Sequence, residues 1–516
     1  MLRGDVATDG HHGGQSRSGW VPHACALPVS PSGMTRWMIE RPAGGRTVVT
    51  DRLQALDVSF LYLEGPTTPM HVGGLAVFSP PADGFDYEKF ADLVEHRIAL
   101  VPRYRQKIKA VPGHLANPVW VDDNEFDLGY HVRRSALPRP GSDEQLRELV
   151  ARVQSRPLDR NRPLWEMYLV EGLADGRFAV IQKTHYALVD GVNAVDIGQV
   201  IRDSTPTPRE LPEDLWMPEP EPPAAELFVE AVGELIRRPT SVVDTVRIGL
   251  ADARSVATRL TSAVGGVLSA ARIAARPAPN SPLNAEIGSQ RRFAVARTGL
   301  ADYRKVRKQT GGTVNDVVLA TVAGAIRGWL LSRGEPVTPA STVRAMVPVS
   351  VRSKGEPGQP GNRVSSYLVD LPVGEPNSIV RLSQVSYAMR AHKESGQSVG
   401  ADTLAALSGF APPTLHALGA RAASSFSRRL FNVVVTNVPG PQFPLYASGA
   451  KMLEMFPVIP LVAGQALAIG LTSYDGGVYF GLNADRNLMH DVDVLASLIE
   501  ESLAELVLAT DGGRGR

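Results

Sequence analysis

The pattern of apolar and polar positions divides the chain into four stretches. Up to about residue 48 it has no period; Gly, Arg, His and Ser dominate, and such a segment buries too little surface to offset chain entropy, so a disordered tail is expected over 1–48. The other reading of this stretch is that the natural start lies at Met34 or Met38. From Leu53 a short apolar segment passes through a Pro/Thr loop into alternation at Val72–Phe78, which predicts a strand. Glu88–Ile98 and Asp143–Arg156 have helical spacing, Val119–Val121 and Phe178–Thr184 read as strands, and Val192–Ile201 as a helix after the turn at Asp190-Gly191.

Seven prolines among acidic residues over 205–223 keep the chain extended and mark the end of a first domain, 49–215. A Pro-rich and helical linker over 216–285 is expected to bridge to a second domain, 286–510. There, strands are predicted at Phe293–Arg297, Val343–Val351, Val364–Leu371, Phe431–Asn437, Ala466–Thr472 and Val478–Leu482. Thr313 with Asp316 forms a capping-box pattern ahead of a long apolar helix, and Leu495, Leu498, Ile499, Leu503 and Leu506 mark the buried face of a final helix. Strands interleaved with helices in both halves give an α/β fold class: two mixed sheets flanked by helices and joined by a helical linker.

Composition narrows the function classes. Lysine and arginine number 54 against 53 aspartates and glutamates, so total charge gives no reason to expect nucleic acid as a partner. Cys25 is the only cysteine, which excludes an intramolecular disulfide and a cysteine-rich metal site, and fits a cytoplasmic location. Apolar runs such as Phe456–Ile469 are interrupted by Pro457, Pro460 and Gly464, so no span is expected, and the N-terminus has no apolar signal core. His71 and His490 stand outside any ligand spacing, so no metal is expected.

One window carries chemistry. In "FAVIQKTHYALVDGVNAVDIG" a strand delivers His185 and Tyr186 into a loop closed by Asp190 and Gly191. A titratable group at a strand end, an acid that orients side chains and a glycine that permits tight reversal suit an acid/base site, though a histidine at such a place is more often structural.

This window resembles the His-His-x-x-x-Asp-Gly motif of CoA-dependent acyltransferases, and the flanks resemble the wax ester synthase/diacylglycerol acyltransferase family. The blocks that carry the resemblance occur in one order: "LEGPTTPMHVGGLAVF" (63–78), "RPLDRNRPLWEMYLVEGL" (156–173), "SPLNAEIGSQRRFA" (281–294), "GGTVNDVVLA" (311–320), "MVPVSVR" (346–352), "TNVPGP" (436–441) and "SYDGGVYFGLNADR" (473–486). The resemblance implies two chloramphenicol-acetyltransferase-like domains meeting at a tunnel. It also implies transfer of a long acyl chain from acyl-CoA, as co-substrate and with no further cofactor, to diacylglycerol or a fatty alcohol.

In the family the second histidine of the motif is the general base, and here that position is Tyr186. A phenol with a reference pKa near 10 is a poor base at pH 7. His185 is the alternative, but adjacent strand residues face opposite ways, so it points away from where Tyr186 looks. The resemblance gives Asp190 an orienting role and matches Asn315 and Asp316 to the family's Asn-Asp pair, for which a helix cap is sufficient reason. Pro163, Leu164 and Trp165 are expected to pack a hydrophobic wall, and Gly191 to shape the turn. The alternative function is a non-catalytic lipid-binding or regulatory paralogue. Residues 235–276 hold seven arginines and two aspartates, a net charge of +5 among Val, Leu and Ile, which makes a lipid droplet or an anionic membrane surface a candidate partner. Peripheral placement on the inner membrane face or on droplets is the matching location.

Overall fold

The computed structural model describes residues 51–81, 84–189, 197–211, 214–237, 277–351, 363–395, 399–400 and 430–512, all within one compact unit, Arg46–Arg516. The expected tail, the Asp190-Gly191 turn, the start of the expected Val192–Ile201 helix and the basic part of the linker lie outside the described residues. The N-terminal half runs α1 (Ala55–Leu63), β1 (His71–Ser79), α2 (Tyr87–Ile98), β2 (Gln106–Lys109), β3 (Val119–Asp122), α3 (Leu128–His131) and β4 (Val132–Ala136). It continues through α4 (Asp143–Gln154), β5 (Trp165–Glu171), β6 (Phe178–His185), α5 (Tyr186–Val189), α6 (Ile197–Val200) and α7 (Ala224–Arg237). The C-terminal half has β7 (Arg291–Gly299), α8 (Leu300–Thr310), α9 (Val314–Ser332), β8 (Val343–Val351), β9 (Arg363–Leu371), α10 (Ser378–Ser395) and β10 (Val399–Gly400). Then follow β11 (Val433–Pro439), β12 (Tyr446–Ala447), β13 (Ala450–Val458), β14 (Leu467–Tyr474), β15 (Gly477–Asp485) and α11 (Val492–Gly512).

Local chemistry explains the main helices. Asp86 caps α2 by accepting from the amides of Glu88 and Lys89, and Phe90, Leu93, Val94 and Ile98 then fall on its buried face. Ser142 and Gln145 form a capping box at α4, which buries Leu146, Leu149, Val150 and Val153. The expected box of Thr313 and Asp316 opens α9. This helix is apolar nearly all round and long enough by composition to cross a membrane, yet Val317, Leu319, Val322, Ile326 and Trp329 are fully buried in the C-terminal core. Gly324 and Gly328 allow that packing: a Cβ on the first would lie 2.2 Å from Ser502 Oγ of α11, and on the second 3.0 Å from Leu498.

Two mixed sheets result, ordered β12-β13-β1-β6-β5-β4 and β10-β9-β8-β11-β14-β15-β7, with β2-β3 as a separate ladder. The sequence ranges 49–215 and 286–510 do not coincide with these sheets, because β12 and β13 come from the second range and join the first sheet, β13 pairing antiparallel with β1 from Gly73↔Val458 to Ser79↔Lys451. Gly481 and Gly470 make room for this crossing: a Cβ on Gly481 would sit 1.9 Å from Pro457 O, and one on Gly470 3.1 Å from the Pro457 ring.

The described residues of the Pro-rich stretch are without helix or strand, as its composition predicts, but they dock on the N-terminal half. Arg105 pairs with Asp214 and lies over Trp216, Lys109 Nζ donates to Pro222 O at 2.7 Å, and Leu227 and Ala231 of α7 pack against Val111, Val119 and Val121. The described start of the linker, 216–237, thus packs on the β2-β3 ladder of the N-terminal half, and its described end packs on the C-terminal half, where Leu283 enters the core and Asn284 Nδ2 donates to Phe431 O at 3.1 Å.

Candidate functional site

β6 lies between β1 and β5 and ends at the motif. Phe178 and Val180 pack with Phe78 on one face, while Ala179 and Ile181 pack with Val150 of α4 and Phe293 of β7 on the other. By alternation His185 continues the Ala179-Ile181-Lys183 face. Its amide donates to Leu164 O at 2.9 Å, and the next residue leaves the strand: Tyr186 N donates to Met70 O at 3.0 Å and opens α5. The Tyr186 ring stacks on Phe60 of α1, centroids 5.0 Å apart and planes 22° from parallel. The two motif side chains therefore have separate neighbours, Phe60 for Tyr186 and Glu64 for His185. Thr184, one residue upstream, pairs with Val72, which packs against Val434, Met346 and Ile459 of the C-terminal half. The motif sits at the seam between the two sheets.

The hydrogen bonds of His185 fix its tautomer. Nδ1 accepts the Ala187 amide at 3.0 Å, so the lone pair is on Nδ1 and the proton on Nε2. Nε2 has no partner among the described residues and stands 3.9 Å from Glu64 Oε2. Burial, with Arg160 adding to it and Glu64 opposing, lowers the pKa of this 1% exposed ring to about 4, so it is neutral at pH 7. A base needs an unoccupied lone pair. Here the only one caps the motif turn, so His185 in this arrangement accepts no substrate proton.

Glu64 and His71 were not legible as site residues. Glu64 accepts the Met70 amide on Oε1 and the Arg160 guanidinium on Oε2, which fixes the carboxylate beside His185. His71 is the register partner of His185 on β1; its Nε2 donates to Gln154 O at 3.0 Å, and Nδ1 has no partner among the described residues. Burial, and then the charge of Lys183, hold the His71 pKa well below the ordinary value. Only the block "LEGPTTPMHVGG" signalled either residue.

The remaining sequence candidates fall in different places. Trp165 is 1% exposed, donates Nε1 to Tyr104 O at 2.8 Å and stacks on His131, centroids 4.7 Å apart, so it is a wall residue. Pro163 O accepts the Trp165 amide, which holds the turn that presents Leu164 O to His185. Asp316 Oδ2 accepts the Thr313 amide at 2.8 Å, and Asn315 Oδ1 accepts Asn437 Nδ2 at 3.1 Å, tying the start of α9 to the "TNVPGP" strand β11. Gly312, at φ +75°, leaves Asp316 its space. Among the described residues no cluster of metal-ligating side chains occurs.

Comparison with known proteins decides the family. The wax ester synthase/diacylglycerol acyltransferase catalytic domain matches residues 53–318, and the C-terminal domain of the same family matches 360–507. The chain belongs to the wax ester synthase/diacylglycerol acyltransferase family.

Within this family, the chain is 33% identical to the probable diacylglycerol O-acyltransferase tgs1 of Mycobacterium tuberculosis (strain ATCC 25618 / H37Rv) over 467 residues, 89% of this chain and 96% of that one. It is 51% identical to the probable diacylglycerol O-acyltransferase tgs3 of the same strain over 257 residues, half of this chain and 95% of that one. The wax ester synthase/diacylglycerol acyltransferase from Marinobacter aquaeolei VT8 superposes with a TM-score of 0.64 at 31% identity, covering 89% of this chain and all of that one. The starter condensation domain of rhizomide synthetase shares the fold alone, with a TM-score of 0.51 at 14% identity over 90% of this chain and 94% of that one. The family's two-sheet α/β architecture is thus the architecture observed. Against the motif that the resemblance implies, this chain carries Tyr186 in the second place, beside a first-place histidine whose lone pair is already bound.

Proposed function

We propose that this protein is an acyl-CoA-dependent O-acyltransferase that moves a long-chain acyl group to the hydroxyl of diacylglycerol or of a fatty alcohol, at a rate lowered by Tyr186. The observation that carries the reading is a family match along nearly the whole chain together with a motif strand ending at the seam of the two sheets. The acceptor oxygen attacks the thioester carbonyl, the tetrahedral intermediate expels the CoA thiolate, and the acceptor's proton ends on the released thiol. A positioned base accelerates such a step by about 10² to 10⁴. A phenol of pKa about 10 is only about 0.1% ionised at pH 7, so Tyr186 supplies little of that factor, and the native rate rests on proximity at the seam alone.

The test is CoA release by purified protein given long-chain acyl-CoA and diacylglycerol. Native protein is expected to turn over slowly, and Tyr186→His to gain about 10² to 10⁴, because an imidazole of pKa near 6.5 is mostly neutral at pH 7. A folded Tyr186→His protein with no transfer to any long-chain alcohol or diacylglycerol overturns the reading in favour of a lipid-binding paralogue.

We also infer a lipid surface, droplet or inner membrane face, as the place of work. Leu215 and Met217, 82% and 83% exposed, and the exposed Phe228 and Val229 of α7 support this, since they precede the segment of net charge +5. Equal flotation with anionic liposomes of native protein and of a variant carrying Arg247→Glu, Arg254→Glu and Arg259→Glu rules it out.

A further inference from the structure

The loop that leads into β5 and the start of β4 gather positive charge beside the motif. The guanidinium of Arg133 lies 4.5 Å and that of Arg162 4.1 Å from the centroid of one ring, Tyr130. Among the described residues Arg162 has only Asp159, at 4.0 Å, and Arg133 only Glu166, at 3.5 Å, as carboxylate partners, both long for charge-assisted bonds. The exposed Arg156 side chain makes no ion pair or hydrogen bond with the described residues. Behind them is Lys183, 1% exposed, 3.6 Å from the same Glu166, which also accepts the Tyr168 hydroxyl at 2.9 Å. Burial lowers Lys183 to about 8, against the pull of Glu166 and with the push of Arg133 and Arg156. Two cations, Arg133 and Lys183, thus lean on one carboxylate, with Arg156 close enough to Lys183 to repel it.

Like charges held this close with so few counter-charges repel one another, and a bound polyanion relieves that repulsion. The rim is also tied to the motif: Arg162 is two residues from Leu164, whose carbonyl holds the His185 amide. Planar guanidinium forks partly exposed on an aromatic support suit phosphate oxygens, which they grip in pairs.

We propose that Arg133 and Arg162 over Tyr130, with Arg156 on the side of Lys183, form an anion site that takes the phosphate groups of the CoA moiety, anchoring the thioester's carrier while its acyl end lies in the seam. The proposal rests on the acyltransferase reading and adds to it the residues that recognise the donor. Phospholipid headgroups present the same phosphate-ester chemistry, so the test separates the two sources.

The experiment compares acyl-CoA with S-acyl-pantetheine, which has the same thioester and no nucleotide, in native protein and in an Arg156→Glu, Arg162→Glu double variant. The KM for acyl-CoA is expected to rise about tenfold or more, from the loss of charge-assisted bonds. kcat, the melting temperature and all constants for S-acyl-pantetheine are expected to stay unchanged, and added salt to raise the acyl-CoA KM of native protein more than that of the variant. An unchanged acyl-CoA KM, or an equal loss with both thioesters, overturns the proposal. Loss of binding to phosphatidylglycerol vesicles with an unchanged acyl-CoA KM assigns the rim to headgroups and overturns it too. If native protein transfers from neither thioester, the acyltransferase reading fails by itself. Calorimetric titration with CoA then decides the rim: binding by native protein that the variant loses upholds it, and equal or absent binding overturns it.

Discussion

The two sheets have the same architecture but differ in what they bury. The C-terminal sheet presents Val433, Val435, Leu467, Ile469, Leu471, Phe480 and Leu482 to α9 and α11, and the layer between is nearly all aliphatic and aromatic. The N-terminal sheet is as well packed along most of β1 and β6, but at the motif end the same strands bury His71, Lys183 and His185, with Glu166 across on β5. Polar groups out of water destabilise unless partnered, and here His71 Nδ1 and His185 Nε2 have no partner among the described residues. The C-terminal sheet also buries polar atoms without a partner among the described residues, Thr436 Oγ1 and Asn483 Oδ1, but the trio His71, Lys183 and His185 gathers at one end of the N-terminal sheet, which is where a reaction centre belongs.

Acid is the strongest way to break this comparison. His71, His131 and His185 are buried with lowered pKa values, to about 4 for the last two, burial being the largest cause for each. In the unfolded chain the same rings take up protons below about pH 6.5. Stability is therefore intact above pH 6.5 and falls as the pH drops toward 4, by about 3 kcal/mol for each of His131 and His185 over that window, with His71 acting in the same direction. Urea midpoints at pH 7 and pH 5 check this. Equal midpoints contradict it. In hydrogen exchange the loss of protection is expected in β1 and β6 before α9.

Next in size is a cut into the dry core. Trp329 is fully buried, and its Nε1 donates to Asp491 Oδ2 at 3.1 Å. Trp329→Ala is expected to cost about 3–5 kcal/mol in denaturant titration, with no change in its pH dependence. A loss under about 1 kcal/mol would show that the C-terminal layer is loosely packed. The smallest effect is at the helix start: Thr313→Ala removes the cap on the Asp316 amide and is expected to cost about 1 kcal/mol, read in the same titration. A rate change larger than stability explains would move Asn315 and Asp316 from scaffold to site.

Local signals made much of the fold legible. The alternation at Val72–Phe78, the helical spacing of Asp143–Arg156, the capping box of α9 and the buried stripe of α11 correspond to observed elements. β13 was missed because Pro457 and Glu454 break its apolar run, and nothing within "KMLEMFPV" says that its partner is β1. The motif was legible as a string of residue types. The lone pair of His185 was not, since it depends on a turn that brings the Ala187 amide to Nδ1. The approach of Arg133 and Lys183 to the one carboxylate of Glu166 depends on the pairing of β5 with β4 and with β6, which spacing does not reveal.

The central claim is that His185 caps the motif turn and is not the base. The direct measurement is the pH profile of kcat/KM for native protein beside His185→Asn, whose side-chain oxygen can accept the Ala187 amide in place of Nδ1. The account predicts that the variant keeps its rate within about tenfold and that the two profiles have the same shape between pH 5 and 8. An acidic limb present in native protein and absent from the variant, with a rate loss of about 10² or more, would make His185 the working base and contradict the account.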